Sequence, residues 1–139
     1  MEPVSYGRTT RIEGLSFDEV LGRTTAALKE QGFGVITEID VKATMKEKLN
    51  VDYRQYKILG ACNPRFAHQA LAADNFIGLL LPCNVVVFED DDGGVVVSAV
   101  NAEEMFKVVD RADLSDLAHA VSERLNTVIT GLEQVAHSK

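Results

Sequence analysis

The stretch VVVFEDDDGGVVVSAV, residues 85–100, consists of two apolar runs on either side of an acidic turn that ends in two glycines. Glycine permits the positive φ angles of a tight turn, so DDGG at 91–94 predicts a hairpin between strands at 85–90 and 95–100. Hairpin strands run antiparallel. We therefore expect an antiparallel sheet that contains this hairpin.

Strand and helix signals alternate on the N-terminal side of the hairpin. Residues 4–12 are rich in β-branched and aromatic types, and residues 33–41 alternate apolar and polar side chains, so both segments predict strands. Between them, Ser16 and Glu19 form the capping box of a helix that extends as far as Gly32, its predicted C-cap. This part of the chain therefore predicts a β-α-β order.

Two further segments connect this unit to the hairpin. Residues 41–49 fit a short helix capped by Asp40 and also a continued strand, and we favour the helix. The stretch YRQYKILGAC, 53–62, predicts the third strand. The Asn-Pro pair at 63–64 then supplies an N-cap and a first helical residue for a helix to about residue 73.

The C-terminal part carries an apolar stripe at helical spacing over about five turns. The stripe consists of Leu114, Leu117, Ala118, Val121, Leu125, Val128, Ile129 and Leu132. We therefore predict an α+β fold: β-α-β, then further antiparallel strands with a helical excursion over 63–82, then a long C-terminal helix packed on the sheet. A parallel crossover through the helix at 64–73 is the alternative.

Composition limits the class of protein. The chain has 139 residues, of which 46% are hydrophobic, and a formal net charge of -7. We expect a single domain over 1–139 and no nucleic-acid partner, because binding of DNA or RNA depends on clustered Lys and Arg. The stretch MEPVSYGRTT lacks a signal-peptide pattern, and no apolar run is long enough to span a membrane. We therefore expect a cytoplasmic protein that is not associated with a membrane.

The order of these motifs resembles a known family. YKILGACNP at 56–64, a helix of small residues, GLLLPCNVVV at 78–87, an acidic turn and VVVSAV together resemble the bacterial and archaeal family called domain of unknown function 302. The resemblance covers about Val4 to Val135, and its most specific part is the pair of CN motifs with the proline-led helix between them. It implies a compact α/β-type domain that forms a homodimer, with no established activity.

The two cysteines of the chain are each followed by asparagine, as Cys62–Asn63 and Cys83–Asn84. If the third and fourth strands are antiparallel neighbours, the end of one and the start of the other lie at the same sheet edge. We then expect the two cysteine Cα atoms within about 10 Å of each other. The CN pairs would line one pocket, with Asn63 capping the helix that begins at Pro64 and Asn84 tying the returning strand to the rim. The alternative is that Cys62 and Cys83 are small buried side chains of the core.

Two further residues complete the candidate ligand site. Lys57 lies in the third strand and belongs to a basic group that predicts either an anion-binding surface or a solvated face. The group consists of Lys42, Lys46, Lys48, Arg54 and Lys57. His68 follows Cys62 by six residues, so a thiol–imidazole pair is conceivable, although a solvated histidine is the simpler interpretation. No zinc-ligand spacing is present and the acidic run at 89–92 is better explained as a soluble hairpin edge, so no metal site is predicted.

Three functional interpretations follow. The first is a homodimeric module that binds a small molecule or an anion at the pocket lined by the CN pairs. The second is a thiol-dependent redox enzyme that uses Cys62 or Cys83, since a cysteine just before a helix N-terminus can have a lowered pKa. The third is a structural, partner-binding domain without a pocket. A homodimer is expected because two main helices can cover only one face of so apolar a sheet.

Overall fold

A computed structural model describes residues 4–137, with side chains described as far as Val135. Ten elements follow one another within these residues. They are β1 (Gly7–Ile12), α1 (Phe17–Glu30), β2 (Gly34–Asp40), α2 (Val41–Leu49), β3 (Tyr56–Cys62), α3 (Pro64–Ala73), β4 (Cys83–Glu89), β5 (Val95–Val100), α4 (Ala102–Phe106) and α5 (Ser115–His137). Two 3₁₀ turns, Asn75–Leu80 and Ala112–Leu114, precede β4 and α5.

The sheet has the strand order β1-β5-β4-β3-β2, and every neighbouring pair is antiparallel. The α+β prediction is therefore confirmed, and the alternative of a parallel crossover between the third and fourth strands is wrong. The chain leaves the end of β3 and enters β4 at the same edge of the sheet, so the two neighbouring strands run in opposite directions.

Local capping signals place the helix ends. Ser16 and Glu19 form the predicted capping box of α1, and Asp40 caps α2 by accepting a hydrogen bond from the amide of Ala43. The predicted C-cap of α1 needs a correction of one residue. Gln31 is the C-cap, and Gly32 follows it with a φ of 85°, a left-handed conformation that favours glycine.

Two strands begin three residues later than the sequence pattern predicts, and one helix was missed. β1 begins at Gly7 rather than at residue 4, and β3 begins at Tyr56 rather than at residue 53. The helix α4 has only five residues, too few for a periodic apolar pattern to show. Its amide at Glu103 donates to the buried hydroxyl of Ser122, which fixes α4 on α5.

The helices α1 and α5 lie beside each other on one face of the sheet, as the C-terminal stripe predicts. Their apolar side chains pack on β1, β4 and β5 and form the main core. The opposite face carries half-buried apolar side chains, among them Tyr56 and Phe88, whose rings stack with centroids 5.0 Å apart. Within residues 4–137, no helix combines the length and the apolarity that crossing a membrane requires.

A second, smaller core lies under the excursion between β3 and β4. It joins α3 and the following 3₁₀ turn to α4 and α5, and its buried members are Ala70, Ile77, Phe106, Leu114 and Ala118. The excursion therefore has its own apolar contacts, separate from those that hold the sheet to α1 and α5.

The acidic turn of the hairpin has a structural role. The Asp90 carboxylate accepts hydrogen bonds from the amides of Asp92 and Gly94, and it pairs with the Arg11 guanidinium of β1. The Arg11 guanidinium and these amides lower the pKa of the Asp90 carboxyl to about 2. Asp90 therefore ties the β4–β5 turn to the edge strand.

Candidate functional site

The two cysteines lie on adjacent strands at nearly the same level. Cys83 pairs across the strands with Ala61, the residue before Cys62. Directly paired residues point to the same face of a sheet and successive residues point to opposite faces. Cys83 therefore lies on the helix-covered face and Cys62 on the open face, although their backbones are neighbours. Both thiols are free.

Cys83 is part of the main core. Its side chain is 6% exposed, and burial raises the pKa of its thiol to about 11, with a smaller contribution in the same direction from Cys62. A thiol with a raised pKa is protonated, and therefore weakly nucleophilic, at neutral pH. Cys62 is half-buried at the end of β3.

The two asparagines also lie in different parts of the structure. Asn63 caps α3 as predicted, because its side-chain oxygen accepts a hydrogen bond from the amide of Phe66 at 3.4 Å. Asn84 pairs with Gly60 on the open face and is exposed. It lines a shallow concavity there, together with Tyr6, Tyr56 and other residues of that face.

Lys57 lies at the opposite end of β3 from the cysteine. Its amino group bonds the Glu38 carboxylate at 2.7 Å, and this hydrogen bond raises the pKa of Lys57. Of the other basic residues around it, Lys46 pairs with Asp52 and Arg54 pairs with Asp91. Ion pairs therefore occupy three of the five charges of the basic group, whereas Lys42 and Lys48 are exposed on α2.

His68 is exposed on α3 and lines none of the concavities described here. Among residues 4–137, no group of three or more His, Cys, Asp or Glu side chains is placed to hold a metal ion. The structure thus distributes the six candidate residues over four places. Asn63 and Cys83 lie on the helix-covered face at the start of α3, and Cys62 and Asn84 lie on the open face. Lys57 lies at the far end of β3, and His68 lies on the exposed side of α3.

A small apolar cavity, partly open to solvent, lies where the two hydrophobic cores meet, beneath α3. We call it the apolar seam. Its lining consists of Phe33, Asn63, Phe66, Ala67, Ala70, Leu81, Cys83, Phe106, Leu117 and Val121. The surface that it exposes is apolar, and its volume of ≈ 20 Å³ is close to what one water molecule needs. A larger guest enters only if α3 moves away from α5.

An open groove of ≈ 570 Å³ with both polar and apolar lining adjoins the apolar seam at the first turn of α3. We call it the arginine groove. Its lining consists of Gly32, Asn63, Pro64, Arg65, Phe66, Gln69 and Arg124. The Arg124 guanidinium lies 5.6 Å from the centroid of the Phe66 ring and donates to the carbonyl oxygen of Gln31 at 3.2 Å. The aromatic contact and the hydrogen bond hold this guanidinium at the groove wall.

The arginine groove and the apolar seam share Asn63 and Phe66 in their linings, so the two cavities adjoin each other. Of the candidate residues, Asn63 and Cys83 line these cavities. Sequence reasoning missed Arg65 and Arg124. The signal for Arg65 was its place directly after the capping pair, but nothing in the sequence shows that Arg124 of α5 lines the same groove.

Comparisons with known proteins agree on one family. The family model "Domain of unknown function DUF302" matches residues 8–132. An uncharacterized protein of Aquifex aeolicus (strain VF5) is 27% identical over 97 residues, and the match spans 70% of this chain and 61% of that protein's length. The crystal structure of an uncharacterized conserved DUF302 protein from Bacillus stearothermophilus superimposes with a TM-score of 0.83, covering 91% of this chain and 98% of the other. Its sequence identity is 24%, so this likeness concerns the fold.

Proposed function

The chain belongs to the DUF302 family, and on that premise we propose that it is a binding module for a small organic molecule, with the arginine groove and the apolar seam as its site. The observation that carries the proposal is that a groove lined by two arginines adjoins a small apolar cavity, with Asn63 and Phe66 in both linings. Binding sites commonly combine an apolar lining with a few convergent polar groups.

The excursion between β3 and β4 would act as the lid of this site. The helix α3 covers the apolar seam, and Ala70 is its one buried side chain. The rest of its contact with the body of the protein involves small or half-buried side chains such as Ala67 and Phe66. An element with few buried apolar contacts opens at a lower free energy than the central strands.

Octanol tests the apolar part of the site, because it is apolar over most of its length and uncharged. We expect a titration followed by amide chemical shifts in NMR to move the signals of Ala67, Ala70 and Cys83. Ala67→Phe should fill the apolar seam and weaken octanol binding by at least about tenfold, whereas Ala72→Phe, an exposed position on the same helix, should not. Octanol binding that Ala67→Phe leaves unchanged would exclude the apolar seam as the site.

We also infer that a second copy of the chain covers the open face of the sheet. At about 4.8 Å between strands and 3.3 Å per residue, five strands present a face of roughly 24 by 20 Å. Because projecting side chains make the accessible surface of a face larger than its flat dimensions, this area is of the order of the ~800 Å² per partner found in ordinary dimers. Val86 lies near the middle of the face, and Ile36 and Ile39 on the edge strand are 62% and 49% exposed.

The dimer predicts a mass of twice 15.2 kDa in sedimentation equilibrium at micromolar concentration. Val86→Lys should place a charge in the interface and give a folded monomer, because an unpaired buried charge opposes association. Val108→Lys is the matched control, since Val108 is 81% exposed away from the sheet face. A wild-type protein that sediments as a monomer would contradict the proposal.

A further inference from the structure

Building on the binding function proposed above, we propose that the site takes an amphiphilic carboxylate, with its head group between Arg65 and Arg124 and its apolar tail in the apolar seam. The arginine groove offers two guanidinium groups, and the adjoining seam offers only apolar surface. A molecule that satisfies both parts must carry a negative charge at one end and hydrocarbon at the other.

The two arginines are available to an anion. Among the described residues, neither Arg65 nor Arg124 lies within ion-pair distance of a carboxylate, whereas Arg8, Arg54 and Arg111 each pair with one. Guanidinium groups bind carboxylates through two parallel hydrogen bonds, and such charge-assisted bonds are stronger than neutral ones. Other exposed cations, such as Arg23 and Lys48, also have no carboxylate within ion-pair distance among the described residues, but Arg65 and Arg124 line one groove together.

The groove wall is built to hold one of the guanidinium groups in place. Arg124 is fixed by the Phe66 ring and by the carbonyl oxygen of Gln31. A Cβ at Gly32 would lie 2.9 Å from Nδ2 of Asn63, so a glycine is needed where the wall approaches the cap of α3. Phe66 lines both parts of the site, and therefore the tail would leave the groove along its ring.

The overall charge favours a carboxylate over a phosphate as the head group. Each negative charge that approaches an acidic protein meets the repulsion of the whole molecule, and a phosphate monoester carries nearly twice the charge of a carboxylate at neutral pH. A single carboxylate also matches the bidentate geometry of one guanidinium, and the second guanidinium can then bind the same carboxylate from the side.

Octanoate, octanol and octyl phosphate share one tail and differ in the head group, so their dissociation constants test the inference. We expect octanoate to bind at least about tenfold more tightly than octanol. In Arg65→Gln/Arg124→Gln this advantage should disappear, as judged from the ratio of the octanol and octanoate dissociation constants within that variant. Arg23→Gln/Lys48→Gln, with the same change of charge at exposed positions outside the groove, should keep the advantage.

The outcomes separate the inference from the proposed function. Equal binding of octanoate and octanol, or an octanoate advantage that survives in Arg65→Gln/Arg124→Gln, would overturn the carboxylate assignment while the apolar seam stays a binding site. Tighter binding of octyl phosphate than of octanoate would replace the carboxylate by a phosphate. If none of the three probes shifts the amides of Ala67, Ala70 and Cys83, the proposed function itself is overturned.

Discussion

Near neutral pH, Cys83 is expected to react with iodoacetamide at least about 100-fold more slowly than an unhindered cysteine. The thiolate is the reactive form, and burial raises the pKa of this thiol from an ordinary value of 9.0 to about 11. A shift of that size lowers the thiolate fraction about 100-fold at any pH well below the ordinary value. The 6% exposure of the side chain adds a steric barrier.

Cys62→Ser leaves Cys83 as the one thiol, and mass spectrometry of the alkylated fraction over time gives its rate. The rate should rise about tenfold with each pH unit and should not level off near pH 9, because the thiol is still mainly protonated there. The same variant unfolded in guanidinium should react as a free cysteine does, which controls for the reagent. A native Cys83 that reacts at the unfolded rate would contradict the raised pKa.

A slow Cys83 would weaken the interpretation of the protein as a thiol enzyme. The chain has two cysteines, so Cys62 would be the remaining nucleophile. The cross-strand pairing of Cys83 with Ala61 directs the two thiols to opposite faces of the sheet. Disulfide formation needs Cβ atoms that point towards each other, so a dithiol mechanism has less support than binding.

The register of β3 and β4 also shows how far the sequence could predict the site. The hairpin at 85–100 and the Asn-Pro cap are local signals, and they correctly indicated that β3 and β4 are antiparallel and share the edge where the excursion begins. The register between the two strands is a separate question, because a shift of one residue moves every side chain of a strand to the other face of the sheet. Cys83 pairs with Ala61 rather than with Cys62, and the local sequence contains no signal for that choice.

Contacts between distant segments account for what sequence reasoning missed. The apolar stripe of α5 predicts that the helix lies on the sheet, but not that Arg124 reaches the first turn of α3. Likewise, β1 pairs with β5 at the far side of the sheet from β2, although β1 and β2 are consecutive strands. Periodicity reports which side of an element is buried, whereas the partner of that side is decided by packing of the whole chain.

Gly60 is a position where such packing has a measurable consequence. We expect Gly60→Ala to lower the free energy of unfolding by about 1–3 kcal/mol, because it overpacks a filled space. A Cβ at Gly60 would lie 2.8 Å from Cγ of Pro82 and still closer to Oγ1 of Thr37. Thr37 pairs with Gly60 just after an irregularity in β2, where the register shifts between Val35 and Thr37.

Gly34→Ala is the matched control, since Gly34 lies on the same strand pair and a Cβ there meets no heavy atom within 4 Å. This variant should be as stable as the wild type or more stable by up to about 1 kcal/mol, because alanine restricts the unfolded chain. Urea denaturation at one fixed protein concentration compares the variants, since a dimer would make stability depend on concentration. Adding Thr37→Ala to Gly60→Ala should recover part of the loss, because it removes the nearest atom and leaves the contact with Pro82. Equal stability of Gly60→Ala and Gly34→Ala would show that β2 and Pro82 move aside without a cost in free energy. The close contacts of Gly60 with Thr37 and Pro82 would then not contribute to the stability of this edge of the sheet.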